Sequence, residues 1–138
     1  MDTALRQLQI IWIALLITVG VYIVIGERVH PQQAPPNKIV FQAVALACVA
    51  TMSFIFIVRR FTIGKAVEVL SINPEDAGAL GRWRVGYIVS LALSESVALF
   101  GFVLRMLGFS LGQVAPFYLA AGILMLFCMP RRPPQFAS

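Results

Sequence analysis

Residues 85–107 read VGYIVSLALSESVALFGFVLRML, 23 positions that hold one acid, Glu95, and one base, Arg105. A helix rises about 1.5 Å per residue and the hydrocarbon core of a bilayer is about 30 Å thick, so roughly 20 apolar residues in a row can cross it. This stretch meets that length. It does not alternate as a barrel wall does, with lipid-facing and lumen-facing residues in turn over about ten positions. The spacing predicts a transmembrane helix.

Three similar runs flank it: LQIIWIALLITVGVYIVI at 8–25, IVFQAVALACVATMSFIFIV at 39–58 and LGQVAPFYLAAGILMLFCM at 111–129. None contains Asp, Glu, Lys or Arg. The expected fold is all-α: a polytopic membrane protein, a four-transmembrane-helix bundle forming a single membrane domain over 1–138. Composition points the same way. Of 138 residues 59% are hydrophobic and 12% charged, against about 25% charged in soluble domains. A soluble surface needs charge that this chain lacks. The first run is too long for the apolar part of a signal peptide, and Asp2 offsets Arg6 before it, so it is expected to be a retained span.

The connections differ in character. The first, GERVHPQQAPPNK at 26–38, is proline-rich, and its single histidine, His30, reads as an ordinary exposed loop residue. The second, 59–84, has apolar residues at Ile63, Ala66, Val67 and Leu70, an amphipathic helical spacing. That segment is expected either to lie along the membrane interface or to extend the second span into water. Asn73-Pro74 stops it, because a residue before proline avoids the α region. Pro74-Glu75-Asp76 then reads as a new helix start. The third connection, 108–112, is a tight turn, and the tail PRRPPQFAS is basic and expected to fray.

Basic residues assign the sides. Arg6, Arg59, Arg60, Lys65, Arg82, Arg84, Arg131 and Arg132 fall on one side and Arg28, Lys38 and Arg105 on the other, eight against three. The positive-inside rule puts both termini and the helical extension between spans two and three in the cytoplasm, as in a bacterial inner membrane. Trp12, Tyr22, Trp83 and Tyr87 lie near run ends, where interfacial anchors are expected. The net charge of +5 sits beside apolar runs, so anionic headgroups explain it better than nucleic acid. The bilayer is the expected partner, with a homo-oligomer or a larger membrane complex beyond it.

Glu95 carries the chemistry. It lies ten residues into its span, near mid-membrane, where a charged side chain costs about 3 kcal/mol on insertion scales. It must be protonated, hydrogen-bonded, paired or bound to a cation. Candidate partners are Gln42, Thr51, Ser53 and Gln113 on other helices. Arg105 is about 15 Å along the same helix and can reach only a Glu95 of another chain. At 100° per residue Glu95 shares a face with Leu91, Ala98 and Phe102. Gly86, Ser90, Ser94 and Gly101 form a second, small-residue face that lets helices approach closely, and Ala43 and Ala47 offer another on span two.

GKAVEVLSINPE at 64–75 resembles the polar loop of the rotary ATPase c-subunit, and LALSESVALFGFVL at 91–104 resembles that family's carboxylate-bearing second helix. The resemblance implies that Glu95, with Ser94 beside it, is an ion-binding position and that Asn73-Pro74 ends the loop. Ile72 stands where the family has a basic residue, and Ala43, Ala47 and Thr51 replace its glycine repeat.

Cys48 and Cys128 sit inside apolar runs without a CxxC pattern and read as packing residues. The sequence has one His, and no phosphate-binding loop, nucleophile elbow or zinc motif, so no enzyme activity, metal or cofactor is expected. Two functions are left: a structural or accessory membrane protein that associates through its small-residue faces, or proton or cation handling by Glu95 within an oligomer.

Overall fold

The computed structural model describes residues 2–29 and 37–132. Helix α1 spans Asp2–Arg28 and α2 spans Lys38–Val58, then a π-helical segment, Arg59–Gly64, leads into α3, Lys65–Ile72. Helices α4, Ala77–Met106, and α5, Leu111–Phe127, complete the fold, and there is no strand among the described residues. His30, the rest of 30–36 and the tail from 133 lie outside the described residues.

Three helical stretches are long and apolar enough to cross a membrane: α1, the continuous 35 residues Lys38–Ile72, and α4. Helix α5 is apolar but has only 17 residues. The exterior supports a membrane protein. Leu46 is 72% exposed and Ile123 66%, while Ser90 and Ser94 are fully buried. Large apolar side chains facing outward in this number are the reverse of a water-soluble surface.

Helix α4 is the axis of the fold. Gln7 pairs with Arg84, Tyr22 with Glu95 and Glu27 with Arg105, so α1 runs parallel to it at a nearly constant offset. Phe41 lies 5.3 Å from Phe109, and the Arg59 guanidinium lies 5.2 Å from the Tyr87 ring centre, so α2 runs antiparallel. An ion pair of 2.7 Å between Arg132 and Asp2 returns the chain beyond α5 to the start of α1.

Local chemistry sets the ends. Asp76 caps α4, its carboxylate accepting from the Ala79 N–H at 2.7 Å, which starts the helix at Ala77, eight residues before the apolar run. Pro74 and Glu75 therefore belong to the turn rather than to a helix start. Between α4 and α5, Gly108 has φ 97, a left-handed conformation that favours glycine. The Phe109 N–H bonds back to the Leu104 carbonyl and the Gly108 N–H to that of Arg105, the pattern of a Schellman cap. One residue later Ser110 and Gln113 form a reciprocal capping box that launches α5.

Of the two expectations for the amphipathic segment after span two, the helical extension is what forms. The π-helical segment carries α2 on into α3, and Ile63, Ala66 and Leu70 are buried. With Leu5, Leu8, Ala79 and Trp83 they form a small second core at one end, separate from the main core along α4. Gly86 permits this approach, since a Cβ there would lie 2.6 Å from Ile63 Cγ1.

The aromatic residues expected as interfacial anchors point inward. Trp83 is fully buried with Tyr87 5.1 Å away. Trp12 donates to the Met125 carbonyl at 2.8 Å, and Tyr22 turns to Glu95. The polar tips of Trp12 and Tyr22 have partners within the fold, and that decides their orientation more than run-end position does.

Candidate functional site

Mid-way along α4, the Tyr22 hydroxyl donates to Glu95 Oε1 at 3.2 Å. Tyr22 is a turn and a half from the end of α1, and helical side chains lean toward the N-terminus, which brings its hydroxyl down to the carboxylate. The Tyr22 ring is steadied by Phe102, one of the residues on the Glu95 face, at 5.5 Å. Glu95 is only partly buried. With Tyr22, Ala92, Ser96 and Leu99 it lines a shallow cleft of about 160 Å³ between α1 and α4 that opens sideways, out of the bundle.

None of the partners considered from sequence reaches Glu95. Thr51 and Ser53 donate to the Ala47 and Val49 carbonyls of their own helix. Gln113 is engaged in the α5 cap. Arg105 binds Glu27 at 3.2 Å and donates to the Phe109 carbonyl at 2.9 Å, which ties α1 to the α4–α5 turn. Tyr22 was hidden among candidates for interfacial anchors. Identifying it requires the offset between α1 and α4, a tertiary quantity.

Ser94 does not join Glu95. It is buried on another face of α4, donating to the Ser90 carbonyl at 2.8 Å with Cys128 Sγ 3.8 Å away. The adjacent hydroxyl that does share the cleft is Ser96, which also donates to a carbonyl of its own helix, that of Ala92. Ser94 and Ser96 project about 100° to either side of Glu95; the first turns into the bundle and the second toward the cleft.

The chain matches no family model, no curated protein and no solved structure.

Gly86, Ser90, Ser94 and Gly101 are all buried. A Cβ on Gly101 would sit 2.9 Å from Phe117 Cβ, and Ser94 faces Cys128. Close helix approach does occur along this face, but the elements received are the chain's own α5 and π-helical segment. It is not an external docking surface. Ala43 and Ala47 are exposed on α2 and remain available to a neighbour.

A second unusual group lies where α2 becomes π-helical. The Arg59 guanidinium sits between the rings of Tyr87 and Phe127, 5.2 and 5.1 Å from their centres, and its Nη1 is buried without a hydrogen-bond partner. The two ring faces supply the attraction that a carboxylate would otherwise provide. Among the described residues no three His, Cys, Asp or Glu side chains converge as metal ligands would.

Proposed function

We propose that this is a multi-pass inner-membrane protein without enzymatic activity, an accessory or structural subunit that assembles sideways with another membrane protein. The observation that carries the reading is Glu95: a partly exposed carboxylate well inside the long apolar helix α4, with one tyrosine hydroxyl on it. Bare lipid is a poor neighbour for such a group, because hydrocarbon offers no donor. A protein surface can offer one.

In this reading α5 is a fourth crossing. Its 17 residues extend about 25 Å, some 5 Å short of a hydrocarbon core. The non-helical Cys128–Met129–Pro130 makes up the difference before Arg131 and Arg132. Both termini and α3 lie on the cytoplasmic side, where the basic residues meet anionic headgroups.

Native electrophoresis from gently solubilised membranes tests this. The wild type should migrate as an assembly larger than its 15.2 kDa monomer in detergent, and Glu95→Gln should reduce it to the monomer. A monomer in both cases, or an assembly indifferent to the substitution, refutes the proposal.

The lateral cleft at Glu95, with the c-subunit resemblance, also supports a second reading, in which an oligomer uses Glu95 to bind protons or cations. Carbodiimide labelling of Glu95 that sodium or raised pH prevents, and proton flux in liposomes lost in Glu95→Gln, would favour it over the first.

A further inference from the structure

The partner's chemistry can be read from the α1–α4 groove. Near the start of both helices Gln7 accepts from Arg84 at 2.7 Å, and with Ile11 and Ile88 they line a cavity of about 400 Å³. Farther along the same two helices is the Glu95 cleft. Arg84, Ile88, Ala92, Ser96 and Leu99 follow one another at three- and four-residue intervals and so share one face of α4. The two cavities therefore lie along one face of α4, and at the Glu95 cleft the α4 side is low, Ala92 and Ser96 being small. Small side chains let another helix approach to backbone distance.

We propose, on the lateral-assembly reading, that this groove receives a transmembrane helix of another polypeptide carrying Lys or Arg at mid-span, whose cation meets Glu95. Charge complementarity selects this occupant. Glu95 is the only charged residue near the middle of any apolar run; the runs at 8–25, 39–58 and 111–129 contain none, and Arg105 lies near the end of its own. A second copy of this chain therefore brings no cation to mid-depth and sets carboxyl against carboxyl. An acyl chain brings no donor at all. Tyr22 supplies one hydrogen bond to Oε1, while a carboxylate can accept about four, so the site has acceptor capacity for an ammonium or guanidinium group. The small residues of the groove and the depth of the carboxylate together fix both the register and the chemistry of the incoming helix.

Designed single-span peptides provide the probe: a polyleucine helix with one Lys at its centre, the same helix with central Gln, and an all-Leu control. Each is fluorescently labelled and reconstituted with the full-length protein in phosphatidylcholine vesicles, with energy transfer as the readout. The Lys helix should associate on the order of tenfold more tightly than the all-Leu helix, the scale of a strong interhelical polar contact. Glu95→Gln should abolish the difference and Glu95→Asp should keep it. Ala92→Leu, which fills the groove while leaving the carboxylate in the chain, should also abolish it, so the test does not depend on one variant folding.

Equal association of the Lys and all-Leu helices overturns the inference, as does Gln binding as tightly as Lys or a Lys preference that survives Glu95→Gln. If those results accompany a native assembly that still depends on Glu95, the basic partner is wrong and lateral assembly stands. If the native assembly is itself indifferent to Glu95, lateral assembly fails as well.

Discussion

Gly101→Ala is a stringent test of how α4 holds α5. In an exposed helix interior the change is favourable by about 1 kcal/mol, because glycine has more backbone freedom to lose. At Gly101 the new methyl would lie 2.9 Å from Phe117 Cβ and 3.3 Å from Tyr118 Cε1, where ordinary carbon contacts are about 3.5–4 Å. Phe117 Cβ is attached directly to the α5 backbone, so no rotamer change removes it. Helix α5 must move away by several tenths of an ångström, over a region where Val114, Phe117 and Ala121 are buried. Overpacking of this kind costs about 1–3 kcal/mol. After the propensity gain is subtracted, the net is a loss of up to about 2 kcal/mol. Gly20→Ala is the matched control, since a Cβ there meets nothing within 4 Å. Unfolding in mixed micelles by added dodecyl sulfate, followed by circular dichroism, should place Gly101→Ala below the wild type and Gly20→Ala at or above it. Equal midpoints for the two variants would refute the close approach of α4 and α5.

Two other substitutions isolate single hydrogen bonds by the same unfolding measurement. Asp76→Ala should cost about 1 kcal/mol by removing the α4 cap, and Asp76→Asn should recover most of it; no difference between them would show that the cap contributes nothing. Trp12→Phe leaves the Met125 carbonyl, in the last turn of α5, without its 2.8 Å partner, and should cost about 1–3 kcal/mol as an unsatisfied buried acceptor. A midpoint shift no larger than that of an exposed change such as Ile17→Val would refute the assignment.

The apolar runs were legible because length and the absence of charge are local properties. The helix starts were less so. Ala77 begins α4 because Asp76 caps it; Pro74-Glu75-Asp76 reads as a helix start in the sequence, but that this helix runs unbroken into the apolar run at 85 does not. Ser110 and Gln113 spell a capping box in the sequence, two residues after Gly108, a glycine suited to the helix end. Glu95 stood out as a lone acid in an apolar run, but its partner Tyr22 follows from how α1 and α4 are aligned along their lengths. The small-residue stripe was equally plain, whereas its occupant, α5, depends on the tight turn folding that helix back onto α4. Nothing in RRFTIG marks a π-helix.

That π-helical segment makes chain length itself a structural variable. Over Arg59–Gly64 the backbone bonds skip to the fifth residue instead of the fourth, which accommodates a residue that an α-helix would have no room for. Deleting one residue there would let the backbone close as an ordinary α-helix with everything after it still in phase, because the bulge absorbs one residue's turn of about 100°. Deleting Lys65, just past the bulge, would instead turn Ala66 and Leu70 by that angle out of the core they share with Trp83, although no other side chain had changed. The surplus residue acts as a phase adjuster between the part of the helix that faces α4 in the main core and the part that grips its first turns. A deletion scan would find this dependence where a substitution scan would pass over it.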